Sequence, residues 1–582
     1  MRPRFLVHFG RADTGMRASL ARRLADVLPT HLQTGDLSLF CHPQTPLIGL
    51  PVSQGHVIGT LISRSSGQRL LSLPSTQDRA IESSRGRHLL ETMFGSYVAV
   101  WRDGQGRLCV LRDPSGAQPV LHARTGCDLW VFSDIDLAAR AGLPIAICWD
   151  GMVHSLLYPQ LSAECTPIAG VREILPGQLL RFDDGAHSEL AWQPWAFVQP
   201  ADDPEGHQAR ASLVPVIDGA VSAWAACFDK VQLELSGGLD SSIIAAALAA
   251  SGAAWSCVTA ATPSGDGDER HYARQVAERL GFPLTELAAD VDDVDPFQVM
   301  ERLTPRPRGM NILAGIDRKM RRAADEAGAD AIFSGVGGDN VFAYTGSTAP
   351  VLDALGRHGV AFSWAVANDV AGATGTTIFD VLRHIARRML RDACGWPPAP
   401  RPALLAPGVA RQAELHPWLA VPDHVARGTR AHIGAIVRIH PILDCVGRNA
   451  TRTMVFPLLS QPVMETCLAI PSWCWVEGGR DRAAVRQAFR GRLPDAVLLR
   501  RTKGRLESLI VPAIERARPR IRTLLLDGLL SGAGLIDRSA VEEGLRRPIT
   551  DRAPHHDRLL QLVDAELWSR QVLALGSMSP RG

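Results

Sequence analysis

A short apolar run that leads through a serine- and glycine-rich turn into a helix-forming segment constrains this fold most. Residues 233–242 have the sequence Leu-Glu-Leu-Ser-Gly-Gly-Leu-Asp-Ser-Ser, and Ile-Ile-Ala-Ala-Ala-Leu follows directly. The apolar run predicts a buried strand, and the alanine-rich run predicts a helix. The two glycines let the backbone turn tightly and bring N–H groups close to an anion, while the helix N-terminus adds its dipole. The segment therefore predicts an anion-binding turn between a strand and a helix.

The residue types in this turn indicate which anion it binds. Asp240 would repel a bare phosphate, so its presence predicts a Mg²⁺ ion that bridges the carboxylate to phosphate groups. An ordinary strand-to-helix turn with a serine or aspartate cap is the simpler alternative. The full string resembles the pyrophosphatase loop of enzymes that split ATP into AMP and pyrophosphate. The other candidate phosphate-binding residues of the turn are small or hydroxylic: Ser236, Gly237, Gly238, Ser241 and Ser242.

A second glycine-rich turn lies about a hundred residues downstream. Residues 334–342 have the sequence Ser-Gly-Val-Gly-Gly-Asp-Asn-Val-Phe and follow a short apolar strand at 331–333. Alone, this segment would be interpreted as a plain loop. In a parallel sheet, however, both turns would lie at the carboxyl ends of strands, where ligands bind. Asp339 is then the candidate for a second carboxylate on the metal.

The chain divides into two parts that differ in their predicted secondary structure. Residues 1–198 are β-rich, and short turns separate the predicted strands at 5–9, 57–63, 97–101, 107–112, 119–123 and 129–132; a helix is predicted at 85–94. The segment 199–206 contains two prolines, three acidic residues and a glycine, which favours a linker. Residues 207–582 form the second predicted domain.

In this second domain, predicted helices and strands alternate before the pattern becomes mostly helical. Helices are predicted at 207–227, 242–251 and 270–280, and strands at 231–235, 255–260 and 331–334. This alternation predicts a parallel sheet covered on both faces. The proline-rich segment 395–407 predicts a surface loop or mobile insertion.

The composition excludes several classes of protein. A formal net charge of +2 lacks the excess of basic residues that general nucleic-acid binding requires. No apolar run is long enough for a transmembrane helix. The N-terminal apolar run is too short for a signal peptide, and 11 scattered cysteines without a CxxC pair indicate reduced thiols. We therefore expect a cytoplasmic globular protein with no nucleic-acid or membrane partner. The 62 basic residues include only three lysines: Lys230, Lys319 and Lys503.

Further motifs, together with the two turns, resemble the asparagine synthetase family over most of the chain. They are the segments 112–119, 175–178, 268–281, 455–459, 493–494 and 501–504. The resemblance implies an N-terminal class II glutaminase-like (Ntn) αββα sandwich. It also implies a C-terminal adenylating domain with a pyrophosphatase loop, a parallel α/β sheet and helical additions. ATP and Mg²⁺ are the cofactors that it implies.

The same resemblance assigns roles to individual residues. Lys503 falls where the family keeps a lysine that neutralises the transition state of amide formation. Leu235, Ser334 and Gly335 fall on positions that contact the nucleotide. Asp240 and Lys503 are therefore the candidate catalytic residues, and Asp240 and Asp339 are the candidate metal ligands.

Departures from the family pattern are more informative than the matches. The glutaminase nucleophile of the family is a cysteine directly after the initiator methionine, but this chain has Arg2. An Asn-Gly pair normally supplies the oxyanion hole, yet the first asparagine of the chain is Asn311. Because nucleophile and oxyanion donor are both missing, we expect glutaminase activity to be lost. Val336 and Asn340 replace glutamates of the second turn, so a general base for ammonia attack is also missing, and Ser460 replaces a usual aspartate.

Without glutaminase there is no internal ammonia, so the substrate must bring its own amine. An amine on the same molecule gives a ring, as in the lasso-peptide cyclase branch of the family. There, an Asp or Glu side chain of a precursor peptide is adenylated and joined to the N-terminal amine. Residues 57–64 look like the cyclase version of the degenerate domain. A precursor peptide, a leader peptidase and a leader-recognition protein are the expected partners.

Several alternatives stay open. A β-lactam or carbapenam synthetase, or another amide ligase, would use the same adenylating half, although a β-lactam synthetase is expected to have tyrosine in place of Val336. An asparagine synthetase-like enzyme could use external ammonia. A non-catalytic scaffold would catalyse no reaction at all. A tRNA-modifying enzyme could share the pyrophosphatase loop. We expect core or surface roles for His440 and Asp444 and packing roles for Trp473 and Trp475. Arg500 and Arg501 either help to hold phosphate or lie on a solvated charged face.

Overall fold

The computed structural model describes most of the chain. The described residues are 2–10, 14–183, 185–199, 202–262, 268–308, 311–344, 346–391, 399–409, 414–444, 452–501, 504, 506–548 and 554–578. Lys503 and residues 395–398 of the proline-rich segment lie outside them. Among the described helices, none combines the length and the apolar character needed to cross a membrane.

Two stacked antiparallel sheets form the N-terminal part of the chain. One sheet has the order β10-β8-β9-β1-β3-β2, and the other has the order β12-β11-β7-β6-β5-β4. The strands are β1 (Phe5–Phe9), β2 (Thr30–Thr34), β3 (Leu37–Cys41), β4 (Leu47–Leu50), β5 (Gly55–Ser63), β6 (Met93–Arg102), β7 (Leu108–Arg112), β8 (Leu121–Thr125), β9 (Asp128–Phe132), β10 (Val171–Glu173), β11 (Gln178–Phe182) and β12 (Ala186–Leu190).

Helices cover the outer faces of the two sheets and complete a four-layer αββα sandwich. In β1, Phe5 and Val7 point into the core between the sheets, whereas Leu6 points to the helix-covered face. This alternation follows from the two-residue period of a strand. The helices are α1 (Thr14–Leu24), α2 (Ser75–Ser83), α3 (Arg87–Thr92), α4 (Ile135–Ala141) and α5 (Trp149–Leu157).

Two predicted helices differ from the observed ones. The helix predicted at 85–94 ends at Thr92, because Met93 and Phe94 pair with Ser63 and Ile62 in the β5–β6 ladder. The helix predicted at 207–227 breaks at Ser212 into two shorter helices. Pro215, which lies in the first turn of the second of these, cannot donate a backbone hydrogen bond into the preceding turn.

The C-terminal part is built on a five-stranded parallel sheet with the order β15-β14-β13-β16-β17. Its strands are β13 (Val231–Glu234), β14 (Trp255–Ala261), β15 (Leu284–Ala288), β16 (Ala331–Phe333) and β17 (Thr453–Val455). The helices are α6 (His207–Ala211), α7 (Leu213–Ala225), α8 (Leu239–Ser251), α9 (Arg270–Leu280), α10 (Ala314–Glu326), α11 (Gly338–Val341), α12 (Ala349–His358), α13 (Val360–Thr374), α14 (Ile378–Arg391), α15 (Arg427–Leu443), α16 (Gln461–Ala469), α17 (Ala483–Ala488), α18 (Asp495–Leu498), α19 (Glu507–Leu526), α20 (Leu529–Gly532), α21 (Arg538–Arg546) and α22 (Pro554–Met578).

The described part of the proline-rich segment, residues 399–407, contains neither helix nor strand beyond one bridge from Leu405 to Ile536. Leu404 and Leu405 are both buried in the core formed with α19, α21 and α22. These leucines anchor the segment, but residues 399–403 and 407 on either side of them are exposed, so the described part is a surface loop, as the sequence predicts.

A buried ion cluster joins the two parts of the chain. Glu173 accepts hydrogen bonds from Arg112 at 2.8 Å and, through its other oxygen, from Arg306 of the C-terminal part. All three side chains are at most 3% exposed. Burial would raise the pKa of Glu173, but the two guanidiniums outweigh this effect and lower the pKa to about 2. A second cross-domain pair joins Arg64 to Glu465 of α16 through two hydrogen bonds of 2.7 and 2.9 Å.

Candidate active site

The first glycine-rich turn connects β13 to α8, as the sequence predicts. Gly237 has φ +75°, and a Cβ at this position would lie 2.7 Å from the backbone nitrogen of Ala273. Only glycine fits both the conformation and the space. Gly238 caps α8, and the first N–H groups of a helix have no partner within that helix. The turn therefore presents backbone donors toward the carboxyl edge of the sheet, where a phosphate would lie.

Serine side chains hold this turn in shape. The hydroxyls of Ser236 and Ser241 lie 3.1 Å apart, and the Ser236 hydroxyl accepts a hydrogen bond from the Gly238 N–H at 3.3 Å. Ser242 is fully buried, and its hydroxyl donates to the Gly238 carbonyl at 2.7 Å. Ser242 and Gly237 do not line the cavity described below, whereas the other predicted residues of this turn do.

The second turn packs directly on the first. It follows β16, which pairs in parallel with β13, so both turns emerge at the same edge of the sheet. A Cβ on Gly335 would lie 2.8 Å from the Ser241 nitrogen, and one on Gly338 would lie 2.4 Å from Cγ of Asp240. Both contacts are closer than real Cβ atoms permit, so the glycines allow the two turns to touch. This contact brings Asp339, in the first turn of α11, toward Asp240.

One guanidinium joins the two carboxylates. Nη1 of Arg482 lies 3.3 Å from Oδ1 of Asp240 and also donates to Oδ1 of Asp339. Nε of the same side chain donates to Asp481 at 2.7 Å. Burial lowers the pKa of Arg482, but the three carboxylates outweigh it and raise the pKa above its usual value. The two predicted metal ligands therefore lie within reach of a single cation.

The donor set at this point fits Mg²⁺. Among the described residues there is no group of three or more His, Cys, Asp or Glu side chains that could hold a metal by themselves. Mg²⁺ is commonly bound through one or two carboxylates while water and substrate phosphates complete its shell. Asp240 and Asp339, beside the anion-binding turn, match that arrangement.

A second arginine ties the C-terminal segment to the first turn. Arg500 is paired with Glu269, stacks 4.1 Å from the ring centroid of Tyr272, and approaches the Gly237 carbonyl at 3.4 Å. The Gly504 N–H donates to the same Glu269 carboxylate at 2.5 Å. The Arg500 side chain is only 9% exposed, so it is not part of a solvated face. Arg500 and Gly504, which flank position 503 in the chain, both line the cavity.

The two turns open into a cavity of about 640 Å³. Predicted site residues on its wall are Leu235, Ser236, Gly238, Asp240, Ser241, Ser334, Gly335 and Asp339. Val336 also lines it, and Asn340 donates to the Ala435 carbonyl at 2.6 Å, so neither position offers a base. Five carboxylates belong to the described wall of the cavity. Asp240 and Asp339 contact Arg482, Glu269 pairs with Arg500, and the other two are Glu234 and Asp317. Apolar residues of the wall include Val258, Ala260, Leu313, Ile316, Met320, Ile439 and Ile442.

In the N-terminal domain, a buried guanidinium occupies the position where the resemblance expects a nucleophile. Arg2 donates to the Ala117 carbonyl at 2.6 Å and to Asp444 of the C-terminal domain at 3.0 Å. The side chains of the pair are 14% and 4% exposed. A guanidinium cannot attack an amide, so position 2 provides a contact between domains and no nucleophile.

The other conspicuous residues serve packing. Trp473 and Trp475 are buried, and the Trp475 ring lies 6.3 Å from that of Phe342. His440 is buried against Trp418, with ring centroids 5.1 Å apart. The two tryptophans belong to the hydrophobic core, and His440 packs against the rings of Trp418 and His416, which agrees with the predicted structural roles.

Comparison with known proteins identifies the family. Residues 215–570 match the family described as Asparagine synthase. No curated protein matches the chain. The allosteric regulatory enzyme of purine biosynthesis is similar at 12% identity over 51% of this chain and 82% of its own, with a TM-score of 0.22. Glutamine phosphoribosylpyrophosphate amidotransferase from B. subtilis, complexed with ADP and GMP, is similar at 13% identity. The similarity covers 57% of this chain and 90% of that enzyme, with a TM-score of 0.21.

The family match covers the parallel sheet, both glycine-rich turns and every residue that lines the cavity. Since it extends over more than half of the chain, the protein belongs to the asparagine synthase family.

Proposed function

We propose that this protein closes a ring in a ribosomal precursor peptide by forming an isopeptide bond. Membership of the asparagine synthase family suggests ATP-dependent amide bond formation. In the proposed reaction, an Asp or Glu side chain of the peptide attacks ATP and releases pyrophosphate. The N-terminal amine of the same peptide then displaces AMP, so one water equivalent leaves the peptide.

The observation that carries this proposal is the contrast between the two domains. The glycine-rich turn lies beside two carboxylates that one guanidinium joins, whereas Arg2, paired with Asp444, stands where the resemblance places the amidase nucleophile. An adenylating enzyme without its own ammonia needs an amine from its substrate. An amine tethered to the activated carboxyl reacts intramolecularly, which favours ring closure over a bimolecular encounter.

Each part of the cavity has a role in this reaction. The N–H groups of the first turn would bind the phosphates and orient the leaving pyrophosphate, while Asp240 and Asp339 would hold Mg²⁺. The ion would neutralise charge that develops on the pyrophosphate. The apolar wall around Ile316 and Ile439 excludes water from the activated carboxyl and contacts the peptide.

The first prediction concerns the reaction itself. The purified protein with Mg·ATP should form AMP and pyrophosphate only when its precursor peptide is present, because the carboxylate to be activated belongs to that peptide. Mass spectrometry should show the peptide 18 Da lighter, as expected for loss of one water, with the carboxyl side chain linked to the N-terminus. Pyrophosphate release assayed with tRNA in place of peptide should stay at background.

Other products would identify the alternatives. Asparagine formed from glutamine or ammonia would refute the cyclase proposal, and a lactam formed from a small β-amino acid would place the protein beside the β-lactam synthetases. A protein that releases no pyrophosphate with any of these substrates would be a scaffold.

The second prediction concerns Lys503. We expect Lys503→Ala to fold normally but to lose cyclised product by about 10²–10³-fold, the usual cost of removing one group that stabilises transition-state charge. Product is measured by mass spectrometry, and folding by thermal unfolding. Lys319→Ala is the matched control, since Lys319 forms a partly exposed pair with Asp293 and does not line the cavity. Unchanged turnover in Lys503→Ala would exclude the assigned role.

A further inference from the structure

Arg482 lies where a metal ion bound to the two carboxylates would lie. Its Nη1 contacts both Asp240 and Asp339, so one nitrogen already provides the positive charge that the pair of carboxylates requires. Its side chain is 12% exposed, and its guanidinium lies 5.2 Å from the ring centroid of Tyr344. A cation that binds both carboxylates must therefore compete with this guanidinium.

The backbone around Arg482 holds the side chain in place. Arg482 has φ +53°, a left-handed conformation that costs energy in residues other than glycine, and it precedes α17. The neighbouring Asp481 accepts from Nε of Arg482 and also pairs with Arg486. Arg486 is buried and donates to the carbonyls of Asp481 and Leu498 at 2.8 and 2.7 Å. This network holds Nε of Arg482 in place, while Nη1 of the same guanidinium contacts Asp240 and Asp339 at the cavity.

Charge then decides which cations can enter. Free Mg²⁺ that takes the two carboxylates would leave the guanidinium beside a divalent cation in a partly buried site, which is unfavourable. A metal–nucleotide complex brings phosphate oxygens with it, and these can accept the displaced guanidinium in charge-assisted hydrogen bonds.

We propose that Arg482 is a resident counter-cation that excludes free Mg²⁺ and yields the two carboxylates only to the metal–nucleotide complex. Once displaced from the two carboxylates, the guanidinium binds the phosphates through its Nη atoms, while Asp481 still accepts a hydrogen bond from Nε. This inference rests on the proposed function in one respect, which is that Asp240 and Asp339 are the metal ligands.

Mn²⁺ binding to the nucleotide-free protein tests the exclusion, with electron paramagnetic resonance or calorimetry as the readout. Arg482→Gln should bind Mn²⁺ at least about tenfold more tightly than the wild type, because the positive charge that competes for the two carboxylates is removed. Arg482→Lys, which keeps the charge, should bind as weakly as the wild type. Arg490→Gln is the matched control, since Arg490 is exposed and outside the cavity wall. The gain in affinity should disappear when Asp339→Asn is added to Arg482→Gln.

Equal Mn²⁺ affinity of Arg482→Gln and the wild type would overturn the exclusion. Thermal unfolding checks that the variant folds, and Arg482→Met provides a second uncharged side chain if the glutamine variant does not. The nucleotide analogue α,β-methylene-ATP with Mn²⁺ tests the second step. The affinity for this complex, divided by the affinity for Mn²⁺ alone, should fall at least about tenfold in Arg482→Gln through loss of a charged hydrogen bond, and an unchanged ratio would overturn the transfer to phosphate. No peptide is used, so failure of the cyclase proposal would remain distinguishable from failure of this one.

Discussion

Asp240→Asn is expected to lower peptide-dependent pyrophosphate release by about 10³-fold or more, since it weakens both the metal site and the charge compensation of the leaving group. Asparagine has the same shape as aspartate, so it keeps the close contact with Gly338 and the fold should persist. It removes one of the two negative charges that meet at Arg482. Pyrophosphate release and the affinity for Mn·α,β-methylene-ATP should fall together.

The control for this change is Asp495→Asn. Asp495 is exposed at the start of α18 and does not line the cavity, so its amide variant should keep full activity. Pyrophosphate release at the wild-type rate in a folded Asp240→Asn protein would contradict the assignment of the adenylating site.

Glu173→Gln is expected to destabilise the whole protein by about 3–5 kcal/mol, the usual cost of removing one partner from a buried ion cluster. The substitution would leave Arg112 and Arg306 buried without the carboxylate that they now share. Because Arg112 belongs to the N-terminal domain and Arg306 to the C-terminal domain, both should unfold at lower temperature. Glu189→Gln, which removes an exposed pair with Arg181, should cost less than about 1 kcal/mol.

The same carboxylate predicts a pH dependence. The pKa of Glu173 is lowered from its ordinary value of 4.5 to about 2 in the folded protein. Its contribution to stability is therefore complete above about pH 4.5 and is lost as the pH falls toward 2. The difference in unfolding temperature between wild type and Glu173→Gln should narrow between pH 7 and pH 3. A constant difference, or one no larger than that of Glu189→Gln, would contradict the role of this cluster.

The architecture was largely predictable because local patterns and motif order agree. The β13–turn–α8 unit follows from the apolar run, the glycines and the alanine-rich helix, and α9 has the bounds that the sequence predicts. The αββα sandwich and the parallel sheet are confirmed. Short edge strands such as β17 were missed, because three residues carry too little periodicity to be recognised. The errors at Met93 and Ser212 arose where strand pairing and a proline override helix propensity.

Site residues could be predicted where their residue type is unusual in the local sequence motif. Residues of a type that is common throughout the chain could not be predicted. Aspartates in glycine-rich turns are conspicuous, and the structure places Asp240 and Asp339 beside one guanidinium. Arg482 is one of many arginines and lies more than 140 residues from either aspartate, so nothing in the sequence distinguishes it. Its importance arises only from the tertiary contacts of Asp481 and Arg486 around it.

The Arg2–Asp444 pair has a consequence for engineering the N-terminal domain. A cysteine at position 2 would remove the guanidinium that donates to Ala117 and Asp444, and the side chain of Asp444 is only 4% exposed. The substitution would therefore weaken the contact between the domains, because a shielded carboxylate would lose this guanidinium. The first 310 residues contain no asparagine that could form an Asn-Gly oxyanion hole. An amidase built at position 2 would thus need both an oxyanion donor and a new partner for Asp444.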